Sequence, residues 1–225
     1  MRQRKIKDLD SKIEMLSDHL TEKDNKGKWL DAFPAAETGG SGKDLFGKNS
    51  KRGLFAEIGC GKGKFITGLA ADNTENCYIG IEGHESVILR SLEKAEEMQL
   101  ANVLFIPEYI KDIRDVFDDN ELDGIYLNFS DPWPKARHEK RRLTHRNFLK
   151  AYTQVIRPGG FIQFKTDNDG LFDFTLEEIE ACGLTVSEMS RDLHSTDYKA
   201  KDTVTEYEER FINRNTPIKY VRIIV

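Results

Sequence analysis

The hydrophobic positions change period along the chain. Over residues 8–20, Leu9, Ile13, Leu16 and Leu20 recur at helical spacing, which predicts a short amphipathic helix. Residues 37–53 (ETGGSGKDLFGKNSKRG) carry five glycines and few apolar positions, the composition of a flexible linker or insertion. From residue 54 onward, short apolar runs alternate with helical patterns. LFAEI (54–58), CYIGI (77–81), VLFIP (103–107), DGIYLNF (123–129) and FIQFKT (161–166) read as strands. Between them 64–72, 84–99, a weaker segment at 110–117 and NFLKAYTQVI (147–156) read as helices, the last stopped by Pro158-Gly159-Gly160. Strands separated by helices of this length predict a mostly parallel sheet in a doubly wound α/β domain. LTVSEMS (184–190), TEYEERFI (205–212) and KYVRIIV (219–225) read as strands with little helix between the last two, so an antiparallel hairpin is expected at one sheet edge. The chain thus divides into an N-terminal basic arm, short helix and glycine-rich insertion over 1–50 and an α/β domain over 51–225.

Composition narrows the class. With 225 residues and 38% hydrophobic content the chain can bury a core, and global disorder is not expected. No run of eighteen apolar residues occurs and the N-terminus has no apolar signal core, so a soluble, non-secreted protein without a membrane role is expected. Cys60, Cys77 and Cys182 are odd in number and form no CxxC pair, which supports neither a disulfide framework nor a zinc site. A reducing cytoplasm fits this cysteine usage. The net charge of -5 argues against a generic nucleic-acid coat, but basic residues cluster locally. Arg2, Arg4, Lys5 and Lys7 form one cluster; 135–146 forms another, with six Lys or Arg against the single Glu139.

The first candidate site is EIGCGKGKF (57–65), between a strand and a helix. Gly59, Gly61 and Gly63 permit a tight turn and close approach of a ligand. Their spacing is GxGxG rather than the GxGxxG of dinucleotide binders, and neither this loop nor GGSGKD (39–44) fits a phosphate-binding P-loop. Glu82 ends the second strand, where an acid holds the ribose hydroxyls of a nucleoside cofactor, and Glu57 adds a second carboxylate. Two acids without a phosphate-binding device suit a ligand with ribose and positive charge but no phosphate, as in S-adenosylmethionine. A plain glycine turn with solvated acids is the alternative.

The second candidate site is NFSDPWPKARHEKRR (128–142), beginning at the carboxyl end of the fourth strand, the edge where open α/β sheets bind ligands. Asp131 can accept from the imino and amino edge of guanine, Trp133 offers a stacking face, and the basic run after it can hold phosphates. A Pro-stiffened turn with a packed Trp and a solvated basic segment is the bland reading. Thr166-Asp167-Asn168 faces the same edge, where Asp167 is either a substrate contact or a helix N-cap.

GCGKG, GIE, NFSDPWPKARHEKRRL, FKTDN and TEYEE, in this order, resemble the bacterial tRNA (guanine-N7-)-methyltransferase family. The similarity runs from about residue 52 to the C-terminus and touches GKW at 27–29. The resemblance implies a class I S-adenosylmethionine-dependent methyltransferase fold, Rossmann-like, that methylates a guanine of the tRNA variable loop (position 46 in the family). It further implies Glu57, Glu82 and Asp131 as cofactor contacts, with Asp131 also in the catalytic centre. Lys135, Asp167 and the run Thr205, Glu206, Tyr207 and Glu208 are implied as substrate contacts, with Arg137, His138, Lys140, Arg141 and Arg142 in an RNA-interacting segment. Two departures stand out. Tyr109, with Glu108 beside it, aligns where the family has an Asp near the adenine, and the insertion at 37–53 exceeds the family pattern.

Guanine N7 carries a lone pair and no proton, so the implied reaction needs alignment and carboxylates that favour a cationic purine, not a general base. A carbon-5 pyrimidine methyltransferase needs an activated cysteine, and the three cysteines read as packing residues instead. His138 and His145 lie in the basic segment, where phosphate contact is open to them. His84 and His194 read as ordinary loop residues. Three rivals remain in view: an amino-methyltransferase, because SDPWP is similar to the DPPY motif; a non-catalytic RNA-binding module; and a nicotinamide-dependent oxidoreductase. The sequence leaves the choice between monomer and homodimer open.

Overall fold

The computed structural model describes residues 6–34 and 52–225. Arg2, Arg4 and Lys5 of the basic arm, and the insertion up to residue 51, lie outside the described residues. Among the described residues seven strands form one sheet: β1 (Leu54–Ile58), β2 (Cys77–Ile81), β3 (Val103–Ile106), β4 (Leu122–Asn128), β5 (Ile156–Thr166), β6 (Thr185–Ser190) and β7 (Lys219–Ile224). Their order is β3-β2-β1-β4-β5-β7-β6, with β7 antiparallel to both neighbours and the other pairings parallel. Helices α1 (Leu9–Glu14), α2 (Lys64–Asp72), α3 (Glu85–Glu97), α4 (Arg146–Val155), α5 (Asp169–Ala181) and α6 (Glu206–Ile212) complete the fold.

Strand alternation sorts the core into two layers. Leu54, Ala56, Ile79 and Ile81 point to one face, where Leu149, Tyr152 and Phe172 of α4 and α5 pack. Phe55, Tyr78 and Phe105 point to the other, against Phe65 and Ile66 of α2 and Ile88 and Leu92 of α3. Burying each such side chain contributes about 1.5–3 kcal/mol relative to exposure. The order reverses at β1, with β2 on one side and β4 on the other, and so opens a crevice at their carboxyl ends.

The N-terminal segment adds to this core. Trp29 is wholly buried, donates its indole N–H to the Val116 carbonyl at 2.8 Å, and lies 5.6 Å from the Phe117 ring. Leu20 bridges Phe105 in parallel, so the segment covers the β3 edge that would otherwise offer unpaired backbone. That pairing is why the helix expected over 8–20 is shorter. It ends at Glu14, is followed by a 3₁₀ turn at Ser17–His19, and straightens where Leu20 meets the sheet.

Three further expectations are corrected. TEYEERFI is helix, not strand: Thr205 caps α6 by accepting from the Glu208 N–H at 3.0 Å, and Glu206, Glu208 and Glu209 place negative charge at its positive end. The antiparallel β6–β7 pair therefore forms, but residues 191–218 intervene. Residues 110–117 hold only a 3₁₀ turn, Ile113–Asp115, capped by Asp112. Pro158-Gly159-Gly160 does follow the end of a helix, yet β5 already begins at Ile156, and the β4–β5 register shifts between Leu122 and Gly124 to accommodate the irregular start.

Candidate active site and RNA-facing segment

The glycine loop leaves β1 and turns back onto β2. Gly59 and Cys60 both donate backbone N–H to the Ile81 carbonyl, at 2.8 and 3.0 Å, and Gly63 caps α2 with φ +79°. A Cβ at Gly63 would stand 2.7 Å from Ser91, so glycine is required there. At Gly59 and Gly61, also at positive φ, a Cβ would meet nothing within 4 Å; the loop borders open space. Glu82 reaches back over it. One carboxylate oxygen accepts from Gly61 N–H at 3.2 Å and the other from His84 N–H at 2.9 Å. Tyr109 lies across Gly83, where any Cβ would strike its ring, and is 67% exposed. Partial burial raises its pKa, and the carboxylate charges of Glu82 and Asp131 add to the rise. Glu108 turns away to pair with Lys23 at 3.0 Å.

Glu57 differs from the other acids. It is 1% exposed, and one oxygen accepts from the Asn128 amide at 2.8 Å. The second oxygen has no partner, nor do Asn128 Oδ1 and Ser130 Oγ. Unsatisfied buried polar atoms are costly, and several at one crevice point to a ligand that completes them. Burial pushes the Glu57 carboxyl up to about 8; the Asn128 hydrogen bond and the Lys165 charge act against that rise, while Glu206 and Glu82 add to it. Cys60, in the same loop, is buried and has its thiol pKa raised chiefly by burial, which suits packing and not nucleophilic attack.

After β4 the backbone is strained. Phe129 and Trp133 hold φ values of +51° and +39°, uncommon for bulky residues and concentrated at functional sites. Phe129 N–H is fixed to the Lys165 carbonyl at 2.9 Å. The Asn128↔Lys165 register brings Asp131 and Asp167 to the same sheet edge. Asp131 is exposed there and Asp167 is half-buried. The capping role falls to Asn168, which accepts from Leu171 N–H at 2.8 Å; Asp167 instead offers its carbonyl to Lys219 at 3.0 Å.

The basic segment is divided. Lys135, Arg137, Lys140 and Arg141 are exposed, Arg141 with its guanidinium 4.9 Å from the Trp133 ring and His138 edge-on to that ring at 5.6 Å. Arg142, expected among the RNA contacts, is half-buried and donates to the Pro132 and Trp133 carbonyls. Arg146 is tied to Glu178 at 2.6 Å, and His145, expected near phosphate, is a buried cap that accepts from Asn147 N–H at 3.1 Å.

The run at 205–208 is divided in the same way. Tyr207 is 59% exposed and stacks at 6.4 Å on Phe129. Glu206 pairs with Lys94 at 2.7 Å, Lys94 also donates to the Lys62 carbonyl of the glycine loop, and Glu209 pairs with Lys64. Thr205 is occupied as the cap. Glu208, expected to touch substrate, is wholly buried against the equally buried Lys165 at 3.1 Å and accepts a bond from His194 at 2.9 Å. Removing one partner of such a pair leaves an uncompensated buried charge, so Glu208 and Lys165 fasten α6 to β5. Sequence reasoning passed over Asn128, Ser130, Lys94 and Lys165. The first two stand inside the NFSDP stretch itself, and a lysine within the apolar run FIQFKT was the available signal for Lys165.

Among the described residues no group of three or more His, Cys, Asp or Glu is placed to hold a metal ion, and no helix is long and apolar enough to cross a membrane. Residues 51–221 match the family model described as "Putative methyltransferase". A tRNA (guanine-N(7)-)-methyltransferase of Lachnoclostridium phytofermentans is 45% identical over 193 residues, covering 86% of this chain and 83% of that protein. The enzyme of the same name from Bacillus subtilis is 42% identical over 195 residues, covering 87% and 84%. Among solved structures, an antibiotic-related methyltransferase superposes with TM-score 0.55 at 18% identity over 77% of this chain and 86% of its own. A SAM-dependent methyltransferase from Aquifex aeolicus gives 0.53 at 14% identity over 98% and 100%. These two show the fold alone. Sheet order, glycine loop, the DPWP turn with its basic segment, and this level of identity across most of both chains agree: the protein is a methyltransferase belonging to the tRNA (guanine-N(7)-)-methyltransferase family.

Proposed function

We propose that this enzyme transfers the methyl group of S-adenosylmethionine to N7 of a guanine in the variable loop of tRNA. The observation that supports the reading is the buried, unpartnered carboxylate oxygen of Glu57 at the carboxyl end of β1, with Glu82 hydrogen-bonded over the glycine loop and an exposed basic segment after β4. The residues fit the cofactor. The unpartnered Glu57 oxygen calls for a donor, Glu82 stands where ribose hydroxyls are held, and Gly59 and Gly61 leave room over the loop. Tyr109 offers an exposed ring beside Glu82 for an adenine, in place of the family's aspartate.

S-adenosylmethionine supplies an electrophilic methyl on a cationic sulfonium. Guanine N7 attacks with its own lone pair, so no residue has to remove a proton. Asp131 accepts from the base edge, fixes N7 in line, and stabilises the positive charge that the purine acquires. In this reading Lys135, Asp167, Glu206 and Tyr207 contact the substrate nucleotide. Arg137, His138, Lys140 and Arg141 meet the RNA backbone. Working on tRNA implies a cytoplasmic setting, in keeping with cysteines that are all free thiols.

Labelled methyl transfer to unmodified tRNA, followed by mass spectrometry of the nucleosides and mapping of the position, tests the reading. 7-Methylguanosine in the variable loop is the expected product; methyladenosine or methylcytidine would overturn it. The exposed arginines give a separate expectation. Arg137→Gln and Arg141→Gln each weaken tRNA binding, and each lowers the slope of log affinity against log salt by about 0.7–0.9 if one phosphate contact is lost. A slope equal to that of the wild type would remove them from the RNA interface.

A further inference from the structure

Arg142 closes the SDPWP turn rather than the RNA interface. Its Nε donates to the Pro132 carbonyl at 3.0 Å and an Nη to the Trp133 carbonyl at 3.2 Å, and its guanidinium lies 4.2 Å from the centre of the Phe174 ring on α5. The turn needs such a partner. Pro132 and Pro134 have no N–H, so the segment after Asp131 lacks the donors that normally satisfy a turn's carbonyls. Trp133 is meanwhile held at φ +39°, a conformation that persists only where surroundings enforce it. A planar fork seated on an aromatic face does this in a way that a lysine cannot.

We propose that Arg142 is a positioning residue. It sets the SDPWP turn, and through it the carboxylate of Asp131, while its exposed neighbour Arg141 deals with RNA phosphate. The role assigned to Asp131 rests on the reaction proposed above. Two arginines adjacent in sequence therefore have separable functions, and Arg142 acts on rate rather than on the electrostatics of binding.

The test compares Arg142→Lys, Arg142→Gln and Phe174→Leu with Arg141→Gln. Single-turnover methylation at saturating cofactor and tRNA is measured alongside tRNA affinity at several salt concentrations and cofactor affinity. Both Arg142 variants are expected to lose at least about tenfold in rate, with the salt slope and cofactor affinity of the wild type; losing the fork's two hydrogen bonds is the cause, so lysine does not rescue. Phe174→Leu removes the ring beneath the guanidinium without changing charge and is expected to slow the reaction several-fold with the same slope. Arg141→Gln lowers the slope. A wild-type rate in Arg142→Lys, or a slope lowered as much as in Arg141→Gln, would overturn the proposal. If neither Arg142 variant folds, a wild-type rate in Phe174→Leu overturns it. Wild-type protein that methylates tRNA on another atom would sink the reaction assignment while leaving the Arg142 comparison of rates intact.

Discussion

Asp131→Ala is expected to lower the single-turnover rate of methyl transfer on the order of 10²–10³-fold, the usual cost of deleting one preorganised charge-stabilising group. In the proposed reaction N7 needs no base, so what the enzyme can contribute is alignment and a negative environment for the charge moving from sulfonium to purine. Asp131 is an exposed carboxylate just past the carboxyl end of β4, its charge acts on Tyr109 as that of Glu82 does, and the strained turn that follows it is tied down by Arg142. Asp131→Asn keeps a hydrogen-bonding group but not the charge, and is expected to fall between alanine and wild type. Rapid-quench measurements at saturating tRNA separate this loss from weakened binding. A rate within a few-fold of wild type in Asp131→Ala would remove the residue from the catalytic centre.

Glu57→Gln is expected to change the enzyme in two opposite ways. The folded pKa of Glu57 is raised from 4.5 to about 8 by burial. Between those values the unfolded chain has lost this proton while the folded chain without cofactor retains it. Stability therefore falls as pH rises through the window, by about 1.4 kcal/mol per pH unit, and levels off above about pH 8. Glutamine does not titrate, so Glu57→Gln lacks this component and is the more stable protein at pH 8. Cofactor binding moves the other way. A cationic donor at the unpartnered Glu57 oxygen favours the carboxylate, so binding near pH 6.5 releases a proton that the variant does not release. Losing a charge-assisted hydrogen bond of about 1.5–3 kcal/mol weakens cofactor binding by roughly 10- to 100-fold at pH 8. Thermal unfolding across pH, with calorimetry in buffers of different ionisation enthalpy, reads both effects. Identical pH profiles and proton release in the two proteins would show that Glu57 is ionised before the cofactor arrives.

The parallel half of the fold was legible because β1, β2 and β4 are buried on both faces and read as short, mostly apolar runs. The C-terminal half was less so. TEYEERFI offers Thr, Tyr, Phe and Ile at strand-like intervals, but the same residues serve a helix whose Tyr207 and Phe211 both stack on Phe129. The pattern Thr-x-x-Glu at 205–208 was the available sign of a helix start. Within the site, the types of residue were readable and their orientations were not. Sequence spacing shows six basic residues from Lys135 to Arg146 but cannot show that Arg142 and Arg146 bond inward, because that depends on the carbonyls of the proline turn and on Glu178 of α5. Glu208 was drawn toward substrate by its neighbours, whereas the buried ammonium of Lys165, remote in sequence, draws it into the core.

The position of β7 between β5 and β6 has a consequence for biosynthesis. A ribosome delivers β6 before β7, yet among the described residues β6 has no neighbour in the sheet except β7. Until residues 219–224 emerge, β5 presents an open edge and the nascent chain carries β6 without its partner, the kind of exposed surface that favours misassembly during synthesis. Lys165, at the end of β5, waits likewise for Glu208. The β5–β7 and β6–β7 pairings and the buried ion pair are thus gained only after residues 205–224 have emerged.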